Sequence, residues 1–369
     1  MSAAPPAAAP PAGPPPEPSA AAAPRAAAGA WLVALSPVAA VGAALLAGSA
    51  FIAAIGEDPL ALWSLVFAEA FGTGYGLGQT LFKATPLVFT GLAVALGFRA
   101  GLFNIGAEGQ LYLGGFAAGL AGLALAGLPW PLPLLGCALA AALAGGVWGA
   151  IPGALKARFG AHEVINTIML NFVAFALVSY LGRPHFMFES VRTAELPPAA
   201  WLPRLDALWP ALRGSPANAA LLLGLALAAG VGAFLFRTRR GYELRAVGLN
   251  AAAAEYGGIH VGRAQLLALA LSGAVAGLGG LNFVNGYKHW FELGFSGGAG
   301  FLGIAVALIG RNHPLGVLLA ALFFGALSYG GLVVHQRVPG ELVEVLEGIV
   351  ILCAISAHRI AERLARRMR

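Results

Sequence analysis

Residues 101–119 read GLFNIGAEGQLYLGGFAAG, and Asn104, Glu108 and Gln110 stand among glycines and apolar side chains. Two amides and a carboxylate this close together can do two kinds of work. They can hold a small polar solute, because an amide offers donor and acceptor at once. They can also bridge helices, at about 0.6–2 kcal/mol per hydrogen bond in a membrane. More polar residues follow at intervals. His162, Glu163, Asn166, Thr167 and Asn171 run through GAHEVINTIMLNFVA, Asn282 and Asn285 come later, and Glu344 and Glu347 stand near the C-terminus. For any one of them bridging is at least as good a reading; spread over several helices, the set fits a polar path better.

Other chemistries fail on their own requirements. GAGFLG, with Gly298, Gly300 and Gly303, matches G-x-G-x-x-G, but no strand or βαβ unit surrounds it. No G-x-x-x-x-G-K-[ST] occurs, so the chain has no phosphate cradle of that kind for ATP hydrolysis. H-E-x-x-H and Cys/His clusters are also missing from the sequence, and no metal or other cofactor is expected. Cys137 and Cys353 lie inside apolar stretches without CxxC spacing, as plain core residues would.

The surroundings of these polar residues follow from composition. Of 369 residues, 59% are hydrophobic and only 10% charged, with mean hydropathy +0.80. Soluble domains carry roughly 25% charged residues. Apolar runs of about 20 residues, enough to cross ~30 Å of hydrocarbon as helices, recur along the chain. The expected fold is therefore all-α: a polytopic transmembrane helical bundle of about ten spans. They fall near 31–55, 78–98, 105–127, 131–155, 163–182, 217–236, 264–284, 295–310, 314–334 and 341–357. The pI near 9.7 then reports topology, and no nucleic-acid partner is expected.

Three segments result: an Ala/Pro-rich disordered tail at 1–30, a membrane domain at 31–357 and a basic tail at 358–369. Arg25 followed by WLVALSPVAAVGAALLAG imitates a signal peptide, but an uncleaved first helix is favoured. Placing both termini in the cytoplasm puts most of the 22 Lys and Arg residues inside, including Arg25, Arg99, Arg237, Arg245 and Arg311. The 183–216 loop is then outside. Glycines four apart, in the rows Gly145–Gly149–Gly153, Gly273–Gly277 and Gly115–Gly119, are expected to let helices touch within one subunit.

On the inner side, 237–263 is the longest loop. Its NAAAAEY stretch reads as a short helix with Asn250 as N-cap, bracketed by Gly248 and Gly257. A helix held at a membrane face suits docking into a groove of another protein; the plain alternative is a topological anchor.

Four stretches carry a resemblance to a known family: GLFNIGAEGQLYLGG at 101–115, LKARFGAHEVINTIMLNFVA at 155–174, ELRAVGLNAAAAEYGGI at 243–259 and GFLGIAVALIGRNHPLG at 300–316. Together they resemble permease subunits of ABC importers for nucleosides and simple sugars, within the branched-chain amino acid and sugar permease group. The resemblance implies a transport subunit, not an enzyme, in a multi-pass cell inner (plasma) membrane setting. It implies a cytoplasmic ABC ATPase, a second permease completing a heterodimer, and an extracytoplasmic substrate-binding lipoprotein. The FNIGAEGQ stretch would begin a helix lining the path. Asn104, Glu108, Gln110, Asn166, Asn171 and Asn282 are the expected pathway residues for a small polar solute. Arg245, Asn250, Glu255 and Tyr256 are the expected contacts to the ATPase. A stand-alone secondary transporter or channel is the alternative, although no inverted repeat is evident.

Overall fold

The computed structural model describes residues 38–39, 41–187, 190–334 and a few positions beyond (345, 348–349, 352–353 and 356). The 1–30 and 358–369 tails lie outside the described residues, as do Glu344, Glu347 and most of the tenth expected span.

Among the described residues every extended regular element is a helix; strand-like pairing is confined to isolated bridges such as Arg192 with Glu292. In chain order the helices are α1 (Val41–Ala54), α2 (Pro59–Phe71), α3 (Gly74–Arg99), α4 (Ala107–Ala124), α5 (Leu132–Phe159) and α6 (Glu163–Gly182). Then come α7 (Ala220–Arg237), α8 (Arg239–Leu249), α9 (Ala251–Tyr256), α10 (Val261–Leu278), α11 (Leu281–Phe283), α12 (Ala299–Ile309) and α13 (Pro314–Val334). A π-helical turn at Val284–Lys288 carries α10 and α11 onward.

Six of these are long and apolar enough to span: α3, α5, α6, α7, α10 with its continuation to Lys288, and α13. They coincide with six of the ten expected spans. The expected third span is α4, whose 18 residues begin with Glu108 and Gln110 in the first turn and are correspondingly less apolar. The expected eighth is only the 11 residues of α12, because Gly294, Gly297 and Gly298 adopt positive φ and hold the preceding segment out of helix. The helix α2 was not anticipated. Its start is nonetheless written in the sequence: Asp58 accepts from the Leu60 and Ala61 amides, and Pro59 occupies the first turn.

Burial sorts the helices into inner and outer. In the most apolar window of α3, 83% of residues are buried, against 22% in α5 and in α6, so α3 forms the centre and α5 and α6 the flank. The glycine rows place α5 directly on α10. A methyl on Gly145 would strike the Gly273 carbonyl, one on Gly149 the Leu269 carbonyl, and one on Gly277 the Ala141 carbonyl. Lipid gives no hydrophobic drive for helices to associate, so this backbone contact supplies the dispersion energy instead.

Among its described residues the 183–216 segment forms four 3-10 turns and lies on the chain after α11. Backbone hydrogen bonds pin it there: Thr193 N to Phe291 O (2.9 Å), Leu196 N to His289 O (2.7 Å) and Leu202 N to Asn285 O (2.9 Å). The Trp201 ring stacks on His289 at 4.0 Å, and the Arg192 guanidinium lies 4.5 Å over Trp290.

Gly273→Leu is expected to separate α5 from α10 and to cost more than the ~1–3 kcal/mol of ordinary overpacking, because the obstacle is backbone. Gly230→Ala on α7, where a methyl meets nothing within 4 Å, is expected to be neutral or slightly stabilising. Thermal midpoints of the detergent-purified variants, followed by size-exclusion, check both.

Candidate functional site

The polar residues of 101–119 gather where α4 begins, and each has a partner. Asn104 Oδ1 accepts from the Gly106 amide (2.9 Å), turning the chain into α4. Its Nδ2 donates to Gln110 Oε1 (2.9 Å) and to Ser272 Oγ (2.8 Å) on α10. Ser272 Oγ in turn donates to Ala93 O on α3 (2.6 Å). Three helices are thereby tied through one buried amide.

The first N–H groups of α4 have no carbonyls behind them, and Gly106 offers no side chain to cap them. The flanking helix α6 does so instead. Asn171 Oδ1 accepts from Gly109 N (2.9 Å), Asn171 Nδ2 donates to Ile105 O (3.0 Å), and Thr167 Oγ1 accepts from Ile105 N (3.3 Å).

Glu108 does the same for another helix. Its two carboxylate oxygens accept from Gly298 N (3.3 Å) and Gly300 N (2.6 Å), at the start of α12. Negative charge at a helix N-terminus is favourable, and more so when buried. Glu108 is only 2% exposed. Gly300 is required here, because a methyl would run into the Glu108 Cα and amide nitrogen. The GAGFLG stretch is thus a set of amides waiting for an anion, but the anion is a side chain of the same protein. Thr90 Oγ1 on α3, donating to Ala299 O (3.0 Å), holds the other flank of that turn.

Asn104, Glu108, Gln110 and Asn171 therefore form one neighbourhood. Asn282 belongs to another, ten residues beyond Ser272 and so ~15 Å further along its helix. Its Oδ1 accepts from Asn218 Nδ2 (3.1 Å), and its Nδ2 donates to Phe82 O (3.3 Å). Asn166 lies about a turn before Asn171, and its buried Nδ2 finds no partner among the described residues. Sequence reading had singled out Thr167 but passed over Ser272, Thr90 and Asn218, which complete these networks. The two hydroxyls gave a weak signal, since hydroxyls within apolar helices commonly bond their own preceding turn, and Asn218 reads as an ordinary turn residue.

At the far end of α7 the chain folds into α8 and α9. Asn250 caps α9 as the sequence indicated, accepting from Ala253 N (3.0 Å). Ala251–Ala253 and Glu255 are exposed, Leu249 is 88% exposed and Tyr256 98%. Only Ala254 turns inward, onto Leu244, Val247 and Ala264. Arg245 is occupied within the chain: its Nε donates to Leu235 O (2.9 Å) and its guanidinium lies 5.3 Å from the Phe236 ring centre. Gly248 presses against the Arg99 carbonyl, so α8 is seated on the end of α3.

The family described as the branched-chain amino acid transport system / permease component matches residues 76–355 of this sequence. The chain belongs to that family. Among curated relatives, the glucose ABC transporter permease protein TsgB13 of Haloferax volcanii is 38% identical over 351 residues, 91% of this chain and 90% of its own length. The guanosine ABC transporter permease protein NupP of Bacillus subtilis is 38% identical over 330 residues, 88% of this chain and 94% of its own. A second guanosine permease protein of that organism, NupQ, is 30% identical over 256 residues, 67% and 78% of the two chains. The protein is therefore a multi-pass membrane permease subunit of an ABC transporter, a transport component and not the ATPase. The stand-alone secondary transporter gives way to this reading.

If Asn171 braces α4 while Asn166 serves the solute, their substitutions should separate. Asn171→Leu orphans the Gly109 N–H and the Ile105 C=O, about 1–3 kcal/mol for each buried group, and should lower the thermal midpoint as well as uptake. Asn166→Leu has no such bond to lose and should lower uptake while the midpoint holds. Paired melting and transport measurements on the two variants check this.

Proposed function

We propose that this chain is one of two permeases in an importer for nucleosides or simple sugars, seated in the cell inner (plasma) membrane. A cytoplasmic ATPase and an extracytoplasmic substrate-binding lipoprotein complete the system. The observation that carries this reading is the match to a glucose and a guanosine permease over about nine-tenths of the chain. The second Bacillus guanosine permease protein, also similar to this chain, supports a heterodimer.

In this reading Asn104, Glu108, Gln110 and Asn171 fix the wall of the path by bracing α4 against α6, α10 and α12. Asn282 serves the same purpose further along, and Asn166, with an unspent donor, contacts the solute. The hairpin of α8 and α9 is the contact to the ATPase. Asn250 shapes α9, Glu255 and Tyr256 present its outer face, and Arg245 anchors the hairpin to α7 instead of reaching the partner. The energy must come through a protein contact, because the sequence holds no phosphate-binding loop.

The complete system in proteoliposomes tests this directly. ATP-dependent uptake of labelled guanosine or glucose is expected. Ala253→Trp, on the exposed face of α9, should abolish solute-stimulated ATP hydrolysis or release the ATPase while leaving insertion intact. Normal uptake by that variant would move the coupling contact elsewhere, and uptake without ATP would overturn the importer reading.

Orientation is tested separately. With both termini cytoplasmic and 183–216 outside, a cysteine at exposed Ala194 should react with an impermeant maleimide on intact cells. One at Ala251 should react only after lysis. The reverse pattern would invert the topology.

A further inference from the structure

A basic rim tops an apolar groove at the inner junction of α1, α12 and α13. The groove encloses about 790 Å³ and is walled by Val41, Leu45, Leu319, Ala320 and Phe323. From Gly316 to Phe323 it follows α13 for about 10 Å, at 1.5 Å per residue. Its mouth is formed by Arg99, Arg311 and His313.

The mouth is rigid. Arg311 and Asn312 both take positive φ, 54° and 52°, in a turn closed by Arg311 N to Leu308 O (3.0 Å) and Asn312 N to Ala307 O (2.8 Å). Arg99 locks that turn from α3, donating to the Asn312 carbonyl (2.9 Å) and the Arg311 carbonyl (3.4 Å). The Arg311 guanidinium is left exposed, with no hydrogen bond or ion pair among the described residues. Arg99 has Arg245 and Arg311 as like-charged neighbours, and among the described residues no carboxylate pairs with any of the three.

We propose that this groove binds an anionic phospholipid, with its phosphate at Arg311 and an acyl chain along α13 between Leu319 and Phe323. The charge balance selects the headgroup. A choline or ethanolamine would bring a further cation toward Arg311, whose guanidinium has no partner among the described residues and stands near the like charges of Arg99 and Arg245, whereas a headgroup of net negative charge relieves their mutual repulsion. The apolar walls select a lipid over a free phosphate, which would leave the hydrocarbon-lined part of the groove empty. Basic pockets between membrane helices hold acidic headgroups in this way.

Native mass spectrometry of the intact detergent-solubilised complex tests it, with dioleoyl-phosphatidylglycerol and dioleoyl-phosphatidylcholine as probes. Phosphatidylglycerol should bind in preference, and Arg311→Gln should weaken it about fivefold, the effect of one cation near an acidic surface. Leu319→Trp should displace it by filling the groove with the charges unchanged, so loss in both variants cannot come from charge alone. Equal binding of the two lipids would overturn the proposal, as would binding unaffected by either variant. Competition by glycerol 3-phosphate at lipid-like concentrations would assign the rim to a soluble phosphate instead. Cross-linking of a Leu319→Cys variant to another subunit would make the groove a protein interface, which also overturns it.

Discussion

Helices that begin inside a membrane expose amide N–H groups where no water can reach them, and each one left unpaired there costs several kcal/mol. That constraint organises this permease. Neither α4 nor α12 carries a capping side chain of its own. Each takes its acceptor from another helix: α4 from Asn171 on α6, and α12 from Glu108 on α4. The order of dependence runs α6 to α4 to α12, so a peripheral helix fixes a central one and that one fixes a third. Non-helical backbone at 100–106 and 289–298 is tolerated for the same reason, because its polar groups are spent on neighbours.

Close approach makes such bridging possible. An asparagine side chain is short, and Asn171 reaches Gly109 N only because position 109 has no side chain: a methyl there would meet the Asn171 amide at 2.8 Å. Gly300 gives Glu108 the same access to α12. The glycines thus serve two ends. They bring α5 and α10 into backbone contact, and they open the helix starts to polar side chains from other helices. Packing and hydrogen bonding are one arrangement here, which is why the polar residues cluster beside glycines in GLFNIGAEGQ.

The sequence displayed the membrane helices through long apolar runs, and displayed α9 through Asn250 followed by four alanines. It displayed α12 poorly. A run of apolar residues from 295 looked like one span, yet Gly297 and Gly298 at positive φ delay the helix until Ala299. The pathway candidates were legible as residues needing partners, since amides and carboxylates are costly in hydrocarbon. Which partners they take was not legible. Glu108 meets Gly298 and Gly300 across 190 and 192 positions, and Asn104 meets Ser272 across 168. Amide groups of the backbone leave no mark in a sequence, so a carboxylate that binds them looks the same as one that waits for a solute. The difference shows only in the geometry, where Asn166 Nδ2 has no acceptor among the described residues while both polar atoms of Asn171 have partners.

The same geometry supplies a rigid line from the α8–α9 hairpin to the braced helix starts. Ala254 seats α9 in the cluster containing Leu102 and Leu244, and Gly248 sets α8 on the Arg99 carbonyl at the end of α3. Arg99 grips the turn between α12 and α13. The opposite end of α12 receives Glu108 from α4. Every link is a backbone contact, a buried packing contact or a hydrogen bond, none of which yields the way an exposed side chain does. In the proposed reading, a push on α9 that shifted α12 along its axis would load the contacts of its first turn, Glu108 with Gly298 and Gly300 and Thr90 with Ala299. Because Gly300 sits too close to Glu108 to slide past it, that load would fall on the first turn of α4 and, through Gly109, on Asn171. A transporter that must change the width of a path between two states needs such a point, where helix starts are held by bonds that can be exchanged one for another and not by apolar packing that has to be torn apart.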